Sequence, residues 1–186
     1  MPLAADPRTG TNYDLLSSPR HRRAALLQDA LLRTDGTVTD LLELFTDEEI
    51  DIEKVIPGLY TAECDRTECG AEPGSVVRDV ILRGKTSGTR YIFAHSHLFP
   101  AALSPVVQAR LNETNDPIGK VLREYRTESF RQIEQSASDF MPAIARVLGQ
   151  DENDQMRWRR YSVISGGAVI MEITEVFSEH LFVTSN

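Results

Sequence analysis

The sequence predicts an α+β fold: a single antiparallel β-sheet with helices packed on one side. Two stretches, 76–99 and 157–177, each hold two alternating runs joined by a glycine-containing turn, the pattern of a β-hairpin. Few segments repeat at helical spacing, and none alternates with strands in the βαβ rhythm that a parallel sheet needs.

Taken in order, residues 1–20 are rich in Pro, Ser, Thr and Asn and predict a loose arm, followed by one domain over 21–186. From Pro19 to Arg33, Ala24, Leu27, Ala30 and Leu31 recur at helical spacing, with Ser18 as a cap and Asp35-Gly36 as the stop. The next segment, TVTDLLELF, reads equally as a helical turn or as the start of a strand. Ile50 to Ala62 reads as a strand interrupted or ended near Pro57-Gly58, and Asp65 to Ser75 as a charged loop. In VVRDVILRG, Val76, Arg78, Val80 and Leu82 share one strand face, and Val77, Asp79, Ile81 and Arg83 the other. GKTSGT turns the chain, YIFAHSHLF returns, and Pro100 closes the strand. Ser104 to Leu111, with Pro105 in its first turn, predicts a short helix. NETNDPIG predicts a loop whose Ile118-Gly119 lets backbone N–H groups approach a ligand. Lys120 to Ser136 suggests a strand in its middle, Ser138 to Leu148 a helix, and GQDENDQ a solvated link.

The final stretch, RWRRYSVISGGAVIMEITEVF, carries the strongest pattern. Gly166-Gly167 accepts the positive φ angles of a two-residue turn. Val169, Met171, Ile173, Glu175 and Phe177 share a face that is apolar except for one carboxylate. A turn closed on the two glycines puts Trp158 opposite Glu175 and Arg160 opposite Ile173. A carboxylate among apolar neighbours costs several kcal/mol, in order of magnitude, unless it is paired. Glu175 therefore either has a structural partner or receives a ligand. Arg78 is its counterpart, one charge on an otherwise apolar face.

Several functions are disfavoured. A formal net charge of −8 argues against nucleic-acid binding, which needs a basic face; HRR at 21–23 and RWRR at 157–160 are only local exceptions. No run approaches the roughly 18 apolar residues of a membrane span, and the N-terminus lacks a secretory signal, so the reading is a cytoplasmic protein without membrane partners. Cys64 and Cys69 have no nearby histidine to complete a zinc site and read as free thiols. His95 and His97 alternate onto one face with Tyr91 and Phe93; a third metal ligand is not evident, and hydrogen-bonded or rim histidines are the favoured reading. Phosphate loop, nucleophile elbow, CxxC and HExxH motifs are all absent from the sequence. Oligomeric state is not legible, although sheet edges can pair.

Three segments, VVRDVILRGK, NDPIGKVL and RRYSVISGGAVIMEITEVF, together resemble the chorismate pyruvate-lyase family, and most closely its actinobacterial and cyanobacterial branch, which makes 4-hydroxybenzoate. The resemblance runs from about Leu31 to Phe177. It implies a single antiparallel sheet flanked by helices around an enclosed site, with chorismate as substrate and no cofactor or metal. It also implies that Arg78 binds the ring carboxylate and Glu175 the ring hydroxyl, these two being the catalytic pair. Backbone N–H groups of Ile118 and Val38 are further substrate contacts. On this reading Glu175→Gln keeps the fold and impairs turnover. Two alternatives stand beside it: a non-catalytic small-molecule-binding domain of the same fold, and a lyase-like enzyme with another substrate. The binding domain would call for a helix-turn-helix of about 60–70 residues upstream, where this sequence has a short polar arm.

Overall fold

The computed structural model describes residues 26, 27, 29–55, 58–60, 74–114 and 116–181. The predicted arm, most of the loop 65–75 and both cysteines lie outside them. The chain forms one six-stranded sheet in the order β1-β2-β3-β6-β5-β4. The strands are β1 (Ile50–Lys54), β2 (Val76–Gly84), β3 (Arg90–Leu98), β4 (Phe130–Phe140), β5 (Gln155–Ser165) and β6 (Ala168–Phe177), and every pairing is antiparallel. Two three-stranded meanders are thus joined edge to edge through β3 and β6, which become the central, most buried strands.

Side-chain alternation gives the sheet two apolar faces. On the first, helix α1 (26–33) and helix α2 (Val38–Thr46) set Leu27, Leu31, Val38 and Leu42 against Ile52, Val80, Ile92 and Phe177. Helices α3 (Pro105–Glu113) and α4 (Ile118–Glu124) bring Val107, Leu111, Val121 and Leu122 onto Leu98, Tyr161, Met171 and Ile173 of the same face. The predicted class and single sheet hold, with one addition. Helix α5 (Pro142–Leu148) packs Ile144 and Leu148 on the opposite face, against Ile81, Phe93, Trp158 and Val176. Its sequence carries apolar residues for one more layer, and the second face of the sheet offers the matching surface. None of the described helices is long and apolar enough to cross a membrane.

Several boundaries differ from the sequence reading. TVTDLLELF is helical. The helix expected from Ser138 starts at Pro142, because a residue before proline is driven out of the helical region: Met141 has φ −135° and ψ 70°, so Ser138–Phe140 stay extended along β5. The stretch expected to be a loop followed by a strand is helix α4, whose first turn closes on Pro117 O, the acceptor for the Lys120 and Val121 amides. The strand that follows begins only at Phe130, after Arg126 turns the chain with φ 49°.

The β5–β6 hairpin turns on Gly166 (φ 58°) and Gly167 (φ 81°), as the glycine pair predicts. Its register then shifts. Ile164 pairs with Val169, but Val163 pairs with Met171, leaving Ile170 as a β-bulge. The Ile170 carbonyl instead accepts from the Phe99 amide at 3.0 Å, while its side chain is buried. Every pair beyond the bulge moves by one residue. Arg159, not Trp158, stands opposite Glu175, and Tyr161, not Arg160, stands opposite Ile173.

Candidate active site

A cavity lies between the first sheet face and the N-terminal ends of α2 and α4. Its floor is apolar: Ile52, Val80, Leu82, Ala94 and Ile173. About 470 Å³ of space lies between its walls, including the open mouth. Val38, Arg78, Ile118 and Glu175, the positions singled out in the sequence, all line it, together with Thr37, Ser96, Gly119, Arg131 and Tyr161.

Arg78 comes from β2 on the rung that runs through Ser96, Ile173 and Tyr161. It is 8% exposed. Its Nη2 donates to the backbone oxygen of Asp116 at 3.1 Å, whereas the Asp116 carboxylate is taken by Arg110 at 2.8 Å. Burial lowers the pKa of the Arg78 guanidinium, partly offset by the nearby Asp116 charge; arginine still remains protonated. Arg78 Nε and the hydroxyl of its cross-strand neighbour Ser96 are both buried without a hydrogen-bond partner. Leaving such groups unsatisfied costs about 1–3 kcal/mol each, and a bound polar ligand would recover that loss.

Glu175 projects from β6, one two-residue step along from the Arg78 rung, and is 6% exposed. Arg159 Nε donates to its Oε2 at 2.8 Å, and the Tyr161 hydroxyl donates to its Oε1 at 3.0 Å. Arg159 is fully buried. Its Nη1 caps the end of α1 by donating to Thr34 O at 2.8 Å, and its guanidinium lies 4.9 Å from the Tyr161 ring centre. Burial is the largest single influence on the Arg159 pKa and lowers it, but the charges and hydrogen bonds of Glu175 and Tyr161 together outweigh it and the net shift is upward. The Tyr161 hydroxyl is pushed up by burial and then by the Glu175 charge, so it meets Glu175 as a neutral donor.

The backbone contributes at the roof. The first N–H groups of a helix have no intrahelical acceptor, so the starts of α2 at Val38 and α4 at Ile118, both on the cavity wall, carry amide donors without an intrahelical partner and the positive ends of two helix dipoles. Gly119 permits this meeting. A Cβ there would lie 2.6 Å from Thr37 Cγ2, so only glycine lets α4 press against the start of α2.

Sequence reasoning missed Arg159, Tyr161, Ser96 and Arg131. Arg159 and Tyr161 were assigned to the wrong face by the one-residue bulge, since a register slip exchanges faces. His95 and His97 lie on the opposite face, away from the cavity. There His95 Nδ1 meets Asp79 Oδ1 at 2.6 Å, its Nε2 meets His97 Nε2 at 2.9 Å, and Tyr60 stacks on its ring at 4.7 Å. They are hydrogen-bonded histidines of the core.

Over residues 32–184 the chain matches the family model described as Chorismate pyruvate-lyase Rv2949c-like. It is similar to the chorismate pyruvate-lyase of Mycobacterium tuberculosis, 29% identical over 158 residues that cover 82% of this chain and 79% of that protein. The chorismate pyruvate-lyase of Mycobacterium leprae is 27% identical over 163 residues, covering 82% and 74%. Among solved structures, PhnF from Mycobacterium smegmatis has the same fold, with a TM-score of 0.54 at 12% identity over 93% of this chain and 86% of that one. Its effector domain alone gives a TM-score of 0.51 at 16% identity, over 77% and 89%. A match that spans most of the sequence places this chain in the Rv2949c-like chorismate pyruvate-lyase family.

Proposed function

We propose that this protein is a chorismate pyruvate-lyase, releasing pyruvate from chorismate and leaving 4-hydroxybenzoate. The observation that carries the reading is the placement of Arg78 and Glu175 on one sheet face, lining one cavity with an apolar floor. The two residues are two strands and one two-residue step apart. At about 4.8 Å per strand and about 6.8 Å per step, their Cα atoms stand roughly 12 Å apart. That span suits a six-membered ring held by a carboxylate at one end and a para hydroxyl at the other, once both side chains reach inward.

In this reading the planar Arg78 fork donates two parallel hydrogen bonds to the ring carboxylate, helped by Ser96 and by the Ile118 and Val38 N–H groups. Glu175 accepts from the ring hydroxyl. Each of its oxygens already accepts one bond, and a carboxylate has capacity for more. Arg159 and Tyr161 position it. The ether bond between ring carbon and enolpyruvyl oxygen then breaks, with the electron pair leaving on oxygen. The hydrogen on the hydroxyl-bearing carbon departs as a proton, and the methylene carbon of the released enol gains one, giving pyruvate. Electrons balance without a redox partner, and aromatisation drives the step. The protein's contribution is to fix the ring in reactive geometry and to exclude water.

The test is to incubate the purified protein with chorismate and a metal chelator, and to follow 4-hydroxybenzoate and pyruvate together. Equal formation of both is expected. Binding of 4-hydroxybenzoate without turnover would instead make the protein a non-catalytic binding domain. Neither binding nor turnover would mean another substrate.

A further inference from the structure

Arg131 is a pocket residue that the lyase reading leaves unused. It projects from β4, the polar edge strand, two residues from Ile133, which pairs with Tyr161. The guanidinium carbon lies 6.0 Å from the Tyr161 ring centre, and Nη1 donates to the backbone oxygen of Asp35 at 2.9 Å. Its Nη2 is 3.5 Å from where a Cβ on Gly119 would stand. The head group therefore sits at the cavity mouth, beside the meeting point of α2 and α4. Among the described residues it has no carboxylate at ion-pair distance.

The charges lining the cavity can be counted. Glu175 is neutralised by Arg159, which stands behind the cavity wall, at 2.8 Å. Arg78 meets only a backbone oxygen, because the Asp116 carboxylate is held by Arg110. Arg131 also meets only a backbone oxygen. Two guanidinium groups that touch no carboxylate among the described residues thus line one pocket. Unpaired guanidinium groups on a common cavity favour a ligand with matching negative charge. Chorismate carries two carboxylates, one on the ring and one on the enolpyruvyl arm.

Resting on the lyase reading, we propose that Arg131 binds the enolpyruvyl carboxylate and so selects dianionic substrates and orients the scissile ether. Arg78 and Arg131 are four strand spacings apart across the sheet, roughly 19 Å between backbones at about 4.8 Å each. Two long side chains converging from the ends of that span leave room for one ring and its side arm. The assignment also orders product release. The elimination leaves one carboxylate on each product: 4-hydroxybenzoate stays on the buried Arg78, and pyruvate stays on the half-buried Arg131 at the mouth, where it departs first.

The experiment compares wild type, Arg131→Gln, Arg131→Lys and Arg78→Gln in chorismate turnover and in direct binding of 4-hydroxybenzoate, which lacks the second carboxylate. Arg131→Gln should raise KM for chorismate roughly tenfold to a hundredfold, the loss expected for one charged hydrogen-bonded pair. It should leave the 4-hydroxybenzoate Kd within about twofold, the scatter expected for a site that keeps all its other contacts. Arg131→Lys should recover part of the chorismate affinity, and Arg78→Gln should weaken both ligands. Equal effects of Arg131→Gln on both ligands, or none on either, would overturn the assignment while leaving an active wild type as a lyase. A wild type that turns over no chorismate would overturn both readings. Thermal melting of each variant separates misfolding from lost binding, and the charge-keeping Arg131→Lys still decides the matter if Arg131→Gln fails to fold.

Discussion

Arg159 stands directly across the β5–β6 ladder from Glu175 and donates Nε–H to its Oε2 at 2.8 Å, with the arginine fully buried. The pair exists because the Ile170 bulge moves the register by one residue. Breaking a buried pair on one side leaves an uncompensated charge, at a cost of about 3–5 kcal/mol. Arg159→Met should therefore lower unfolding free energy by several kcal/mol in a denaturant titration. Arg159→Met combined with Glu175→Leu, which removes both charges, should regain much of that loss. Equal instability of the single and double variants would show that packing, not charge, holds the pair.

Glu175→Gln now carries an expectation different from the one its sequence context supports. From sequence alone the change keeps the fold and impairs turnover. In the structure it also strands Arg159, whose other donors reach only Thr34 O or no partner. The variant should melt several degrees lower as well as losing turnover. Arg78→Ala should behave oppositely. It removes a guanidinium whose Nε is already unsatisfied, so stability should change little, while 4-hydroxybenzoate binding and kcat/KM fall roughly a hundredfold or more. A melting curve and a binding isotherm on each variant distinguish the two.

What was legible in the sequence follows from periodicity. Both hairpins could be read because runs rich in β-branched and aromatic residues flank a glycine-containing turn, GKTSGT in one and Gly166-Gly167 in the other. Arg78 and Glu175 could be singled out because each is a lone charge on an apolar face. The bulge could not, since Ile170 is as apolar as its neighbours and its carbonyl is captured by Phe99, a contact between distant elements. Arg159 and Tyr161 were lost to that one-residue slip. Arg131 was hidden for another reason: β4 is an edge strand with no buried residue, so its sequence lacks the alternation that reveals a face. Helix α4 was obscured by Pro117 and Gly119, residues that usually signal a turn.

Glu48 makes stability depend on pH. Its carboxylate accepts from the Thr86 amide at 3.0 Å, the Ser87 amide at 2.9 Å, the Ser87 hydroxyl at 2.8 Å and the Tyr91 hydroxyl at 2.8 Å, tying the end of α2 to the β2–β3 turn. These donors, the Ser87 amide foremost, lower its pKa from 4.5 to about 2. A depressed carboxyl stabilises the fold above its unfolded pKa and loses that contribution as pH falls through the folded one. Glu48→Gln should therefore melt below wild type at pH 7, by an undiminished margin down to about pH 5. The gap should then close between pH 4.5 and 2. A gap that is constant across that range would mean that the carboxylate charge plays no part.

Gly119→Ala tests whether the closeness of two helix ends shapes the site. The added methyl would sit 2.6 Å from Thr37 Cγ2, well inside contact distance, so α2 and α4 must separate by some tenths of an ångström. Alanine is also the better helix former by up to about 1 kcal/mol, which offsets part of the strain. Stability should thus move little, whereas ligand affinity should fall several-fold as the Val38 and Ile118 N–H groups lose their alignment. Thr37→Ser removes Cγ2 but keeps the hydroxyl that accepts from Arg123 at 3.2 Å. Adding Thr37→Ser to Gly119→Ala should then restore binding. Isothermal titration with 4-hydroxybenzoate reads all three variants, and a double variant no better than Gly119→Ala would show that the clash with Thr37 is not what Gly119 avoids.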